Sequence, residues 1–327
     1  MASKKTSLSF KTALRHFRKL PLLLLGTFFL IPVLFIVTPS SLSFIPAPLR
    51  PPLSAVPIPV SLLPVSASLP VPAISARNVF IMDLTSKTVL YQKAAAAPVL
   101  PASTTKMMTA LIALSHYPLD QIITISQVYP IGTVVGFRPG EQLSVEQLLY
   151  AMLVNSGNDA AEILAANFPG GAGLPAGRQG FIAAMNTTAA QLHLTRTHFV
   201  NPTGMDEPGH YSTAVDLVRL ADVALRLPEF ARIVSTENAV VSAPDSADVH
   251  ILNNVNQLLG KIPGVKGIKT GNTPGAGQAL VTLVERDNHP VIMAVLGSAD
   301  RFDDTQKLIE WIYSNFTWKN INPAATD

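Results

Sequence analysis

An uncharged apolar stretch near the N-terminus, residues 20–37, limits where a water-soluble fold can begin in this chain. Its 18 residues contain no Asp, Glu, Lys or Arg. As a helix it would be about 27 Å long, close to the ~30 Å of a bilayer's hydrocarbon core. Basic residues precede the stretch, which predicts that the N-terminus stays in the cytoplasm and that the chain after residue 37 is exported.

We interpret residues 1–19 as a basic cytoplasmic segment and residues 20–38 as an uncleaved transmembrane signal-anchor. The alternative is a signal peptide that is cleaved to give a secreted form. The small-residue site that would serve for cleavage, Ser41-Leu42-Ser43, is a poor match to the usual pattern, and the apolar stretch is long for a signal peptide.

Residues 39–76 contain ten prolines and one charged residue, Arg50. This composition favours extended polyproline II structure over a packed fold, and it predicts a linker that reaches on the order of 100 Å. We therefore place the folded domain at residues 77–320 and a short C-terminal tail at residues 321–327.

The charge distribution argues against a nucleic-acid partner. Residues 1–76 hold seven basic and no acidic residues, and the whole chain carries +3, so the remaining residues carry a net −4.

The chain has no cysteine, which excludes disulfides and thiol chemistry. The spacing of His193, His198 and His210 matches no metal-site pattern. We predict neither a metal nor a cofactor.

The order of predicted elements indicates an α+β fold. Predicted strands cover residues 79–82, 89–92, 279–284 and 291–296. Predicted helices cover residues 107–114, 144–153, 159–167, 213–227 and 304–313. Strands at both ends of a helical middle favour an antiparallel sheet built from distant segments, with helices covering it. We interpret the glycine-rich stretch 169–180 as a flexible surface loop, because it lacks the ending of a phosphate-binding loop.

Ser103 and Lys106 form a Ser-x-x-Lys pattern at the predicted start of a helix. Three residues apart on a helix, the two side chains lie on one face within reach of each other. A serine hydroxyl needs a neighbouring base to become a nucleophile, and a lysine serves as that base when its ammonium form is disfavoured. The backbone N–H of Ser103, at a helix N-terminus, is suited to one half of an oxyanion hole.

Ser156-Gly157-Asn158 falls between two predicted helices. The glycine allows a sharp turn there. A hydroxyl and an amide at such a break can relay a proton to a leaving group and orient a lysine. The alternative interpretation is a simple helix-capping loop.

Lys269-Thr270-Gly271 follows a segment that alternates like an edge strand. An edge strand can hydrogen-bond an extended peptide along its backbone, and Gly271 allows a close approach. Lys269 and Thr270 would then bind a substrate carboxylate, and the N–H of Asn272 would complete the oxyanion hole.

The three patterns together resemble those of the D-alanyl-D-alanine carboxypeptidases, the low-molecular-mass serine penicillin-binding proteins. The resemblance runs from about residue 77 to about residue 316 and also includes the block Asn201-Pro202-Thr203-Gly204. It implies a β-lactamase-like fold, with a five-stranded antiparallel sheet flanked by helices and a helical lobe. It also implies removal of the terminal D-alanine from peptidoglycan stem peptides, and binding of β-lactams as inhibitors.

The family's residue roles carry over to matching positions of this chain. The resemblance implies that Ser103 is the nucleophile and Lys106 its base. It also implies that Ser156 and Asn158 assist proton transfer, and that Lys269 and Thr270 bind the substrate carboxylate. Gly271 and Asn272 complete the substrate-binding set. The predicted signal-anchor, taken with the resemblance, makes the expected location the bacterial cell membrane, with a single span and the catalytic domain outside the cytoplasm.

Three other functions compete with this interpretation. A class A β-lactamase would carry a Glu-x-x-Leu-Asn stretch after Ser156, and none follows. An endopeptidase that cuts peptidoglycan crosslinks would share every residue named above. A non-catalytic wall-binding or penicillin-binding module would have no need to keep Ser103, Lys106 and Lys269.

Overall fold

A computed structural model of the protein describes residues 62–171, 173, 175–242 and 248–320. The predicted cytoplasmic segment, the signal-anchor, most of the linker and the C-terminal tail lie outside the described residues. Among the helices in the described part of the chain, none has the length and apolar character needed to cross a bilayer.

The strands, in chain order, are β1 (Leu62–Ser66), β2 (Asn78–Asp83), β3 (Val89–Lys93), β4 (Ile122–Thr124), β5 (Gln142–Ser144), β6 (Asn238–Ser242), β7 (Val249–Asn253), β8 (Val265–Thr273), β9 (Gly277–Arg286), β10 (His289–Ser298) and β11 (Phe316–Asn320). The helices are α1 (Lys106–His116), α2 (Val145–Leu153), α3 (Asn158–Ala166), α4 (Gly177–Gln191), α5 (Ala214–Ala224), α6 (Pro228–Val234) and α7 (Arg301–Asn315). A short 3-10 helix, Ala102–Thr105, leads directly into α1.

The central sheet has five strands in the order β3-β2-β10-β9-β8, and every neighbouring pair is antiparallel. The predicted α+β fold with a five-stranded antiparallel sheet is confirmed. Strand β8 forms one edge of the sheet, since it pairs only with β9. This edge faces the 3-10 helix that carries Ser103.

Side chains alternate between two apolar cores, one on each face of the sheet. Phe80 and Ile292 lie in the core shared with α5 and the helical lobe. Ile81 and Met293 point to the other face and pack with α7. The sheet is therefore covered by helices on both sides, as the resemblance implies.

Helices α1 to α4 pack against one another as the helical lobe. The predicted capping box opens α2: the Ser144 hydroxyl accepts from the N–H of Gln147, whose side chain accepts from the N–H of Ser144. The predicted helix after Thr213 is also present, but it ends at Ala224, and a separate helix, α6, begins at Pro228. Proline suits a first helical turn because its missing N–H has no partner there.

The glycine-rich stretch 169–180 differs from the predicted surface loop, because its last four residues form the first turn of α4. Gly180 is buried against the preceding chain: a Cβ at this position would lie 1.6 Å from the carbonyl oxygen of Pro175. Arg178 pairs with the buried carboxylate of Glu162 on α3, with 2.7 Å between Nε and Oε2. The helix was missed because its sequence shows little apolar periodicity.

The folded unit also begins earlier than residue 77. Strand β1 pairs antiparallel with β11. Pro64 is tolerated in β1 because both strands of a two-stranded sheet are edge strands, where proline is allowed. The Trp311 indole N–H donates to the Leu69 carbonyl at 3.2 Å, and Ala76 is fully buried. Residues 62–76, which composition alone assigns to the linker, are therefore attached to the folded domain by β1 and by contacts at Leu69 and Ala76. Composition could not show this, because the partners lie more than 200 residues away at the other end of the chain.

Asp304 ties this N-terminal segment to the sheet and to α7. Its carboxylate accepts hydrogen bonds from the N–H and hydroxyl of Ser75, from the N–H of Ala76 and from the hydroxyl of Ser298. Burial acts to raise the pKa of Asp304, but these hydrogen bonds outweigh burial and lower it.

We predict that Asp304→Asn lowers the free energy of unfolding by about 3 kcal/mol, because an amide cannot accept from all four donors. Since the pKa of Asp304 is lowered in the folded state, its contribution is present above the unfolded-state pKa of about 3.9 and is lost as the pH falls through the folded-state pKa. Denaturant unfolding at pH 7 and pH 3 measures both effects. Asp303→Asn, at an exposed neighbour, is the control, and equal stability of the two variants at pH 7 would contradict the assignment.

Candidate active site

Ser103 lies in the 3-10 helix at the entrance to α1, and its side chain is partly exposed. The turn is held in an unusual conformation, since Ala102 has a φ of 48°. Gly204 packs directly on this turn: a Cβ there would lie 1.8 Å from the carbonyl oxygen of Ala102. The Asn201–Gly204 block therefore supports the turn that presents Ser103.

Lys106 occupies the first turn of α1 and has no exposed surface. Its Nζ lies 2.9 Å from the Ser103 Oγ, 2.6 Å from the Asn158 Oδ1 and 2.9 Å from the Thr203 carbonyl oxygen. As an ammonium it donates to all three, whereas as a neutral amine it donates to Asn158 and Thr203 and can accept from the Ser103 hydroxyl. The amine is therefore held within hydrogen-bonding distance of the predicted nucleophile.

The environment disfavours the charged form of Lys106. Burial, followed by the positive charge of Lys269, lowers its pKa well below the ordinary value of 10.5. Asp159 and Glu162 act in the opposite direction but do not compensate. Burial and a second cation are the two effects that let a lysine act as a base.

The predicted break between helices is present: α2 ends at Leu153 and α3 begins at Asn158. Ser156 has a φ of 62° in this turn and is buried. The Asn158 amide is fixed on both sides, because its Oδ1 accepts from Lys106 while its Nδ2 donates to the Ile131 carbonyl at 2.7 Å.

Lys269 lies on β8, and its Nζ donates to the Ser156 Oγ at 2.9 Å across the gap between the sheet and the helical lobe. Burial, and then the charge of Arg301, lowers the pKa of Lys269 to about 7. The two predicted lysines therefore lie in one buried cluster with Ser103, Ser156 and Asn158.

The predicted close approach at Gly271 is present. A Cβ at this position would lie 2.8 Å from the Cβ of Ala102 and 3.0 Å from the backbone nitrogen of Ser103. Thr270 precedes it and is buried, whereas Asn272 follows it on the edge strand and is exposed. The structure thus brings six of the eight predicted site residues to one cleft between β8 and the helical lobe, and the other two, Thr270 and Asn272, adjoin them on β8.

Sequence reasoning missed Arg301, the first residue of α7. Its Nη1 donates to the Gly271 carbonyl at 2.8 Å, and its buried Nε has no hydrogen-bond partner. Burial lowers the pKa of Arg301. No local motif marks this arginine, because only the fold brings the start of α7 next to β8.

Lys269 and Arg301 form the cationic end of the cleft, and Asp300 acts on Arg301 only through its charge. No salt bridge among the described residues includes Lys269 or Arg301. The described residues likewise contain no group of three or more His, Asp or Glu side chains arranged to hold a metal. An anionic ligand group is the chemical complement of this end of the cleft.

Residues 65–300 match the sequence profile of the D-alanyl-D-alanine carboxypeptidase family, peptidase family S11. The chain belongs to that family. It is 34% identical to a D-alanyl-D-alanine carboxypeptidase of Streptomyces sp. strain K15 over 73% of this chain and 88% of the relative.

The crystal structure of the Streptomyces K15 DD-transpeptidase has a TM-score of 0.71 to this chain at 32% identity and covers 75% of this chain and 100% of its own. A D-alanyl-D-alanine endopeptidase of Pseudomonas aeruginosa is 32% identical over 79% of this chain and 82% of the relative.

We predict that the reaction with a carboxylate-bearing ligand weakens above pH 7. The pKa of Lys269 is lowered to about 7, so its charge is present below this pH and is lost above it. The second-order rate constant for acylation by benzylpenicillin should therefore show an alkaline limb near pH 7. The methyl ester of benzylpenicillin, which has no carboxylate, is the matched control and should lack this limb; the same limb for both compounds would refute the assignment.

Proposed function

We propose that this protein is a serine-type D-alanyl-D-alanine carboxypeptidase that removes the terminal D-alanine of peptidoglycan stem peptides. The observation that carries the proposal is the contact between the Lys106 amine, with its lowered pKa, and the Ser103 hydroxyl. Membership of the family and the close match to the Streptomyces K15 fold support the same reaction class.

In the acylation step, neutral Lys106 takes the proton of the Ser103 hydroxyl while the Oγ attacks the carbonyl carbon of the penultimate D-alanine. The backbone N–H groups of Ser103 and Asn272 are the proposed donors to the oxyanion. The C–N bond then breaks and the departing amine receives a proton. Ser156, bonded to Lys269, is the proposed relay for this proton. D-alanine leaves, and an ester on Ser103 remains.

In the deacylation step, a water molecule attacks the ester carbonyl while Lys106 accepts a proton from it. The ester bond breaks, Ser103 regains its proton and the shortened peptide is released. Asn158 holds the Lys106 amine in place through both steps, because its Oδ1 accepts from Nζ at 2.6 Å. The same lysine therefore serves both half-reactions.

The terminal carboxylate of the substrate is the proposed occupant of the cationic end of the cleft. Lys269 and Thr270 lie on β8, and Arg301 lies beside Gly271. These groups offer charge-assisted hydrogen bonds to a carboxylate, which a peptide ending in an amide would not receive. A β-lactam carries a carboxylate and an acyl bond in a similar arrangement, and it would acylate Ser103 with its amine leaving group still tethered.

A DD-endopeptidase activity is the second candidate, and similarity to the Pseudomonas aeruginosa endopeptidase favours it. It would use the same Ser103 and Lys106, with a crosslinked peptide in place of a free stem. A purely non-catalytic module is disfavoured, since the buried base is already in contact with the nucleophile.

We also propose that residues 20–38 anchor the protein in the bacterial cell membrane with the catalytic domain outside the cytoplasm. The support is the uncharged stretch and the basic residues before it.

We predict that the purified full-length protein in detergent releases D-alanine from a peptide ending in D-Ala-D-Ala, and that Ser103→Ala abolishes the release because it removes the nucleophile. Free D-alanine is measured with a D-amino-acid oxidase assay. Release that persists in Ser103→Ala would refute the assigned nucleophile. Cleavage of crosslinked dimers without release from the free stem would identify the endopeptidase instead.

We predict that the full-length chain fractionates with membranes and resists extraction by high salt, because about 18 apolar residues remain in the bilayer. A variant that lacks residues 1–38 but keeps an independent cleavable export signal should appear in the soluble exported fraction. A soluble full-length product shortened by about 40 residues would show the cleaved signal peptide of the alternative interpretation.

A further inference from the structure

His210 is buried behind the catalytic cluster, outside the set of motif residues. It is 1% exposed, and its ring packs edge-on against Phe199. Its Nε2 lies 2.8 Å from the Oγ1 of Thr105, and its Nδ1 accepts a hydrogen bond from the N–H of Val200 at 3.1 Å. The histidine thus joins two segments that are about 100 residues apart in the chain.

These contacts define the protonation state of the ring. Because Nδ1 accepts from a backbone N–H, it carries no proton, and the neutral ring holds its proton on Nε2. Nε2–H therefore donates to the Thr105 hydroxyl. Burial lowers the pKa of His210 to about 4, which keeps this neutral form at neutral pH.

Both partners of His210 lead directly to Lys106. Thr105 is the residue before Lys106, and its Oγ1 would lie 2.9 Å from a Cβ placed on Gly204. Val200 precedes Asn201, whose Oδ1 accepts from the N–H of Gly204 at 2.8 Å and from the Thr203 hydroxyl at 3.1 Å. The loop formed in this way presents the Thr203 carbonyl that accepts from the Lys106 amine.

We infer that His210, as the neutral Nε2–H tautomer, is a positioning residue. It fixes the 3-10 helix and the Asn201–Gly204 loop relative to each other, and so places the Lys106 amine between Ser103 and Thr203. It contacts neither the substrate nor the reacting atoms. The inference rests on the proposed function, since it concerns the base of that reaction.

The test compares variants that remove one hydrogen bond at a time. Thr105→Val is nearly isosteric but cannot accept from Nε2–H. His210→Asn keeps an acceptor near Nδ1 and loses the donor at Nε2, whereas His210→Gln keeps a donor near Nε2. His193→Asn is the matched control, because His193 is exposed and has a φ of 54°, which asparagine tolerates.

Thr105→Val and His210→Asn should each lower the acylation rate constant with benzylpenicillin by roughly tenfold or more, since misplacement of a catalytic group by about 1 Å has effects of this size or larger. His210→Gln should retain most of the rate, and His193→Asn should retain all of it.

The KM for a D-Ala-D-Ala peptide should change by less than about twofold while kcat falls, because the lost interaction serves the transition state. The double variant Thr105→Val/His210→Asn should be little worse than either single variant, because both remove one bond.

Wild-type rates in folded Thr105→Val and His210→Asn, with only a lower melting temperature, would overturn the inference and leave His210 a structural residue. An absence of acylation in the wild-type protein would instead refute the proposed function. Crystal structures of wild type and Thr105→Val decide the inference independently of activity: the Lys106 Nζ should move out of hydrogen-bonding distance of the Thr203 carbonyl, and an unchanged Lys106 would overturn it.

Discussion

The buried amine of Lys106 is the constraint on which the rest of the site depends. A lysine can be placed out of contact with water only if its amine finds acceptors, and here they come from the Ser103 hydroxyl, the Asn158 amide and the Thr203 carbonyl. These acceptors belong to three separate segments, so the 3-10 helix, the break between α2 and α3 and the Asn201–Gly204 loop must converge. All three acceptors are neutral, so burial is not offset by a carboxylate in contact and the pKa of Lys106 stays low.

The two carboxylates that act to raise the pKa of Lys106, those of Asp159 and Glu162, both have other partners. Asp159 accepts from the backbone N–H groups of Val135 and Gly136, and so fixes the loop that covers Asn158. Glu162 is engaged by Arg178, the residue that the glycine-rich stretch contributes to α4. Each carboxylate has a structural partner and neither bonds to Lys106 directly. A carboxylate that did so would favour the ammonium form and remove the base.

Elements with a local sequence signal could be predicted, whereas elements that depend on contacts between distant segments could not. Ser103 and Lys106 share a helix turn, and the capping box of Ser144 lies within one short segment, so both could be predicted. At Gly271 the glycine itself indicated a close approach, but the turn that it approaches, at Ala102 and Ser103, lies in a distant segment. Strand β1 could not, because its partner β11 lies at the far end of the chain and the proline-rich stretch around it suggests a linker. The positions of Arg301 and His210 beside the site are likewise set by packing between distant segments, and neither residue belongs to a motif with an evident chemical role.

The surroundings of the two buried lysines differ. Lys269 shares its end of the cleft with Arg301 and the edge of β8, where an incoming carboxylate would restore its charge. Lys106 faces only neutral acceptors and is further disfavoured as a cation by Lys269 itself. A carboxylate bound there would therefore favour a charged Lys269, and that charge lowers the pKa of Lys106. In the proposed function Lys269 anchors an anion and Lys106 is the general base, and the surroundings of the two lysines favour the opposite protonation states that these roles require.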